Sequence, residues 1–74
     1  MKNLLAQYNR LEKNNDHNKC ALLLVKNFGT QEEVDRIMQI FSNHTKRGHI
    51  LYEEQQERFK ISNKYYKLLH KATK

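Results

Sequence analysis

The chain has 74 residues, a formal net charge of +6, two glycines and no proline, which permits one small domain and argues against an all-β fold. A single cysteine excludes an internal disulfide, and the longest apolar run is far shorter than the ~20 residues that span a membrane. We predict an all-α protein, soluble and cytoplasmic, that forms a bundle of three to four helices in one domain over residues 1–74. A core of this size supplies only about 3–5 kcal/mol, which favours a homodimer.

The first predicted helix covers residues 2 to 13. Its apolar residues recur at i, i+1, i+4 and i+7, the spacing of one helical face. They are Leu4, Leu5, Tyr8 and Leu11. The polar stretch at 14–18 then interrupts the pattern, since Asn and Asp side chains compete for backbone hydrogen bonds and favour a turn. We expect Asp16 or Asn18 to cap the helix that follows.

The apolar run CALLLVKNF, residues 20–28, is compatible with a buried helix or a buried strand. A strand followed by two helices is the ribbon-helix-helix order, in which paired strands of a dimer read DNA. Such a strand needs alternating polar residues to reach base edges, and residues 20 to 25 do not alternate. We therefore favour a helix that is buried on nearly all sides.

Gly29 and Thr30 separate this segment from the next helix. Gly29 suits the left-handed position after a helix, and Thr30 with Glu33 matches the capping box, in which each side chain satisfies an orphan N–H. Apolar residues then follow at helical spacing through Phe41. They are Val34, Ile37, Met38, Ile40 and Phe41.

Residues 42–48 are typical of a helix end, because Lys46 and Arg47 suit the last turn and Gly48 the residue beyond it. Glu53 and Glu54 mark the first turn of the final helix, although no Ser, Thr, Asp or Asn precedes them as an obvious cap. Two antiparallel helices joined by a glycine-containing turn are expected.

Positive charge is concentrated in the last part of the chain. Residues 1–43 hold six basic and five acidic residues, whereas residues 44–74 hold eight and three. This asymmetry indicates a polyanionic partner such as nucleic acid, an anionic lipid surface or an acidic protein face.

The last helix divides into a basic and an apolar side at 100° per residue. Its lysines fall within one narrow strip, the lysine strip, defined as Lys60, Lys64, Lys67, Lys71 and Lys74. Apolar residues span about half of the circumference on the other side. They are Phe59, Ile61, Tyr65, Tyr66, Leu68, Leu69 and Ala72. So wide an arc predicts packing against two elements, inside a bundle or across a dimer interface, with the lysines facing outward.

A strip about 21 Å long could follow the phosphates of DNA or RNA. Lysine contacts the backbone well, whereas bidentate base readout favours Arg, Asn or Gln, so little sequence discrimination is expected. Our first hypothesis is a nucleic-acid-associated regulatory or accessory factor that uses the lysine strip with help from Lys46 and Arg47. Tyr65 and Tyr66 could stack on bases, but their place in the apolar arc favours a core or interface role.

Three other interpretations of the basic side stay open. One is a protein-directed inhibitor or adaptor that docks the same helix on an acidic partner. Another is an immunity-like protein that rests on an anionic membrane. The third is a solvated helix face without a partner, although no acid follows Glu57 to interleave with the lysines.

The sequence offers little for catalysis or metal binding. His17, Cys20, His44 and His49 could in principle close a tetrahedral zinc site, but Cys20 opens an apolar run and is better explained as a small buried residue. The cluster of Glu53, Glu54 and Glu57 suits a helix N-terminus and has no neighbouring nucleophile. We expect neither an enzyme nor a cofactor.

Overall fold

A computed structural model describes residues 2–72 of the chain. These residues form four helices and contain no strand. The helices are α1 (Lys2–Lys13), α2 (His17–Phe28), α3 (Gln31–Arg47) and α4 (Tyr52–Ala72). The all-α prediction is thereby confirmed, and residues 20–28 lie in a helix, as favoured over the strand. The radius of gyration is 12.0 Å, close to the ~11 Å expected for a folded chain of this length.

Helix α2 is the centre of the bundle. Ala21, Leu24 and Val25 are fully buried, and α2 contacts each of the other three helices. A short helix with apolar residues on nearly all sides requires such a position, because any exposed face would leave apolar area in water. The rest of the core comes from one further residue of α2 and from the other three helices, and it comprises Leu4, Tyr8, Cys20, Ile37, Ile40, Tyr65 and Leu69.

The start of α2 follows the capping prediction. Asp16 is the N-cap, and its side chain accepts a hydrogen bond of 3.4 Å from the Lys19 N–H. Asn18, the alternative cap, lies inside the first turn and is buried. Its side chain is therefore available for contacts with other helices.

The connection from α2 to α3 corrects one prediction. Gly29 has φ −96° and ψ −170°, so the left-handed conformation expected there is wrong. The next helix begins so soon that the chain must run extended directly into the Thr30 cap. Glycine is needed for space instead, because a Cβ at Gly29 would lie 2.9 Å from Glu33 Oε1 and 3.1 Å from the Val25 carbonyl oxygen.

The capping box at the start of α3 is confirmed. Glu33 N–H donates to Thr30 Oγ1 at 3.2 Å, and Thr30 N–H donates to Glu33 Oε1 at 3.0 Å. At the other end, α3 stops at Arg47, and Gly48 adopts the predicted left-handed conformation with φ 80°. Both ends of α3 were therefore predicted from local residue patterns.

The start of α4 is capped without a Ser, Thr, Asp or Asn. The Glu54 carboxylate, in the first turn, accepts the Leu51 N–H at 3.3 Å. This is the glutamate half of a capping box, acting without its usual partner. It satisfies the Leu51 N–H, for which the sequence showed no obvious capping residue.

Helices α3 and α4 run antiparallel, as expected. Glu33 in the first turn of α3 contacts Lys64 and Tyr65 late in α4, whereas Arg47 at the end of α3 contacts Glu54. Helix α4 also contacts α1 and α2, which agrees with the wide apolar arc predicted for it. The homodimer stays a prediction.

Candidate functional site

The lysine strip lies on the solvent side of α4. Lys60, Lys64, Lys67 and Lys71 are all exposed, because the opposite side of the helix carries Tyr65 and Leu69 into the core. From Lys60 to Lys71 the strip is about 17 Å long at the helical rise of 1.5 Å per residue. Lys74, the last predicted member, lies outside the described residues.

One lysine of the strip is engaged by α3. Lys64 Nζ lies 3.4 Å from Glu33 Oε2. Its pKa is raised, first by its hydrogen bond to Tyr65 and next by that to Glu33. Within residues 2–72, Lys60, Lys67 and Lys71 have no carboxylate at ion-pair distance. These three lysines carry the uncompensated positive charge of the strip.

Arg47 is also engaged, and it does not extend the strip. Its guanidinium pairs with Glu54, which further accepts from Asn43 Nδ2 at 3.2 Å. Burial raises the pKa of Glu54, but hydrogen bonds from Asn43 and the Leu51 N–H, with the charge of Arg47, outweigh it and hold the pKa below its ordinary value. Arg47 thus ties the end of α3 to the first turn of α4.

Lys46 is exposed and neighbours Arg47, which is bound near the start of α4. Glu54 and Lys67 are thirteen positions apart, about 20 Å along the helix axis. Glu57 lies between them and Glu53 directly precedes Glu54, and both glutamates line a shallow depression together with Lys60. The structure therefore does not bring Lys46 and Arg47 together with Lys67 and Lys71.

The two adjacent tyrosines have different environments. Tyr65 is buried in the core, as predicted, and its hydroxyl donates to the Glu33 carboxylate. Tyr66 lies at the edge of the core, with its ring 5.4 Å from that of Tyr8 and 4.5 Å from that of His70. Both rings are thus held by contacts within the chain.

Sequence analysis missed the burial of Arg58, since the i,i+4 spacing predicts an exposed ion pair with Glu54. That prediction is wrong, because Glu54 pairs with Arg47 instead. Arg58 is 4% exposed, and its Nη1 donates to Asn18 Oδ1 at 2.6 Å. Asn18 Nδ2 in turn lies 2.9 Å from His44 Nδ1. The same helical wheel that defined the strip places Arg58 in the middle of the apolar arc, a signal that could have revealed its burial.

A cleft of about 180 Å³ opens beside Arg58, between α4 and the first two helices. We call it the Arg58 cleft. Its lining comprises Tyr8, Glu12, His17, Cys20, Arg58, Phe59, Ser62 and Asn63. The guanidinium carbon of Arg58 lies 5.4 Å from the centre of the Phe59 ring, and the His17 ring packs against the same ring at 6.4 Å.

Cys20 lies in the wall of this cleft as a protonated thiol. Burial, followed by the charges of Glu12 and Asp16, raises its pKa to about 11. Its sulfur lies 3.9 Å from the Tyr8 carbonyl oxygen, to which the thiol donates. Cys20 therefore supplies no negative charge to Arg58 at neutral pH.

The described residues contain no group of three His, Cys, Asp or Glu side chains placed to hold a metal ion. His44, one of the four residues considered for zinc, instead contacts the Asn18 amide. Cys20, another of them, contacts the backbone of α1. These contacts account for both side chains without a metal.

Comparisons with known proteins place the chain in no family. No protein-family model matches it, and no curated protein or solved structure shows significant similarity. Within residues 2–72, no helix has the length and apolar character needed to cross a bilayer. Any functional conclusion must therefore come from the geometry of the site.

Proposed function

We propose that the protein is a nucleic-acid-associated regulatory or accessory factor that contacts phosphates through the lysine strip. The observation that carries the proposal is the set of three exposed lysines, Lys60, Lys67 and Lys71, without carboxylate partners among the described side chains. Phosphates neutralised by such lysines release condensed counterions, which drives binding at low salt.

The contact is expected to be independent of base sequence. Lysine acts as a point charge on phosphate, whereas base edges are read by Arg, Asn or Gln with two hydrogen bonds. Lys64 can join when its 3.4 Å contact with Glu33 gives way to a phosphate. Lys74 would extend the strip, and a homodimer, with twice the 9.0 kDa mass of the chain, would present two strips. Sedimentation velocity measures that mass directly.

The test is fluorescence anisotropy of labelled random duplex DNA and single-stranded RNA, titrated at several salt concentrations. The test variant carries Lys60→Gln, Lys67→Gln and Lys71→Gln. Its matched control carries Arg10→Gln, Lys13→Gln and Lys26→Gln, which removes the same charge from exposed positions on α1 and α2.

For the strip variant, the plot of log affinity against log salt should become less steep on duplex DNA. The magnitude of its slope should decrease by about 2–3, since each lost phosphate contact removes about 0.9. The control should keep most of the wild-type slope. Equal losses in both variants would show that overall charge, not the strip, attracts the polymer. Absence of binding at low salt would contradict the proposal.

A protein-directed inhibitor or adaptor is the second candidate, and one observation favours it. Apolar side chains flank the lysines on both sides of α4, with Leu68 43% and Phe59 38% exposed. Protein interfaces bury exposed apolar side chains as well as charged ones, whereas phosphate contacts need no apolar area. Leu68→Gln should weaken binding to an acidic protein partner and leave phosphate binding unchanged.

A further inference from the structure

The fold does not balance the charge of Arg58. A guanidinium stays protonated in proteins, and a buried charge is strongly unfavourable unless it is paired and hydrogen-bonded. Within residues 2–72, Arg58 has no carboxylate at ion-pair distance, and its one hydrogen-bond acceptor is the neutral amide of Asn18. Its Nε is buried without any hydrogen-bond partner in that part of the chain.

Three of the four acids near Arg58 are engaged elsewhere. Glu54, one turn earlier in α4, pairs with Arg47, and Glu57 pairs with Arg36. Asp16 lies 3.5 Å from Lys19. Glu12 lines the Arg58 cleft, yet it does not come within ion-pair distance of the guanidinium. The positive charge in this cleft is therefore left for a ligand to neutralise.

The size of the cleft limits what that ligand can be. Its volume of about 180 Å³ is below the ~300–1,000 Å³ of sites that enclose drug-sized molecules. One small group fits, with Ser62 and Asn63 as further hydrogen-bonding side chains in the lining. The Glu12 carboxylate in the same lining repels a doubly charged group more than a singly charged one.

We propose that the Arg58 cleft binds a single carboxylate group, held by the Arg58 guanidinium. The planar fork of arginine matches a carboxylate in a bidentate, charge-assisted contact. Because Nε is closed to solvent, the ligand enters by displacing the ring of Phe59, which lies over the guanidinium and is partly exposed. The carboxylate belongs to a small organic acid or to an acidic side chain of a peptide.

The test measures the chemical shift of the Arg58 Nε–H cross-peak in a ¹⁵N correlation spectrum of the full chain. Sodium acetate is titrated against sodium chloride of matched ionic strength. Acetate should shift the Arg58 Nε–H with saturation at millimolar concentration, and chloride should not. The Nε–H of Arg36, already paired with Glu57 on the other side of α4, serves as the internal control and should not follow the acetate curve.

Two further titrations separate the sources and the chemistry. A short acidic peptide that binds more tightly than acetate would identify a side chain as the source, and equal affinities would identify a small acid. Inorganic phosphate should bind more weakly than acetate, and the reverse order would overturn the carboxylate assignment.

Variants then locate the interaction in the cleft. Arg58→Met should lower acetate affinity about 10- to 100-fold, the effect of losing a charge-assisted hydrogen bond, whereas Arg36→Met should leave it unchanged. Asn63→Ala, which keeps Arg58, should lower the acetate affinity by a smaller factor. This variant tests the cleft even if Arg58→Met fails to fold. An Arg58 Nε–H that responds alike to acetate and chloride would overturn the proposal.

Discussion

The two sides of α4 differ in whether their basic side chains have carboxylate partners. On the side facing α3, basic side chains meet carboxylates across the helix pair: Arg36 with Glu57, Arg47 with Glu54, and Lys64 with Glu33. On the side facing α1 and α2, the buried Arg58 meets only an amide and an aromatic ring. Each of these three basic side chains has a carboxylate partner, whereas Arg58 has none among the described residues.

The paired charges support the packing of the helices, whereas the buried charge of Arg58 opposes folding. Paired charges on the α3 side fix the alignment of two helices, although exposed pairs add little free energy. An unpaired buried guanidinium on the other side lowers stability, and such local conflicts with folding rules concentrate at functional sites. The unbalanced charge therefore marks the Arg58 cleft as a candidate site, which the charge pattern of the sequence does not reveal.

We expect the apolar core, and not charge, to hold α4 in place. Leu69 is completely buried in the second half of α4. Leu69→Ala should lower the free energy of unfolding by about 2–5 kcal/mol, through lost apolar burial and a residual cavity. Urea denaturation monitored by circular dichroism measures this. A decrease in the free energy of unfolding below ~1 kcal/mol, the value of an exposed ion pair, would mean that charge contributes more than the apolar core to holding α4.

The sharpest contrast comes from replacing the charged groups on each side with apolar ones. Asn18→Leu combined with Arg58→Met removes both members of a buried polar contact. It should raise the free energy of unfolding by about 1–4 kcal/mol, as often happens when apolar residues of similar volume replace buried charges. The matched pair on the α3 side, Arg36→Met with Glu57→Leu, should change it by at most ~1 kcal/mol. A large loss of stability in the first variant would show that Arg58 is adequately satisfied.

The smallest expected effect is that of the pair between Arg36 and Glu57. Both side chains are more than a third exposed, so a double-mutant cycle with alanine at each position should give about 0.2–1 kcal/mol at pH 7. The hydrogen bond from Arg36 is the main cause that lowers the pKa of Glu57 from its ordinary 4.5.

A carboxylate with a lowered pKa stabilises the fold above its unfolded value and loses this contribution as the pH falls below it. The coupling between Arg36 and Glu57 should thus be complete above about pH 4.5 and vanish on further acidification. A coupling that persists in strong acid would show that packing, not charge, joins the two side chains.

Most of the fold was predictable because its signals are local. Thr30 and Glu33 form the capping box, Gly48 ends α3, and the apolar spacing of α1 and α3 marks their buried faces, with the exception of Met38, which is 52% exposed. Gly29 was misjudged, since its requirement comes from the close approach of the Val25 backbone and the Glu33 side chain and not from its own backbone angles.

The candidate site was predictable only in part. Exposure of the lysines on α4 follows from helical periodicity. The engagement of Lys64 depends on Glu33, 31 positions away, and that of Arg58 on Asn18, 40 positions away. No local pattern encodes such contacts, because they arise only when the helices have packed.

Glu33 connects two segments that are distant in the chain, the start of α3 and the second half of α4. Its carboxylate accepts the Thr30 N–H at the start of α3, and it also binds the Tyr65 hydroxyl and the Lys64 ammonium of α4. The first turn of α3 therefore cannot fray without weakening the hold on the second half of α4. Opening of either segment exposes the other, so their amide protons should exchange with solvent as one cooperative unit.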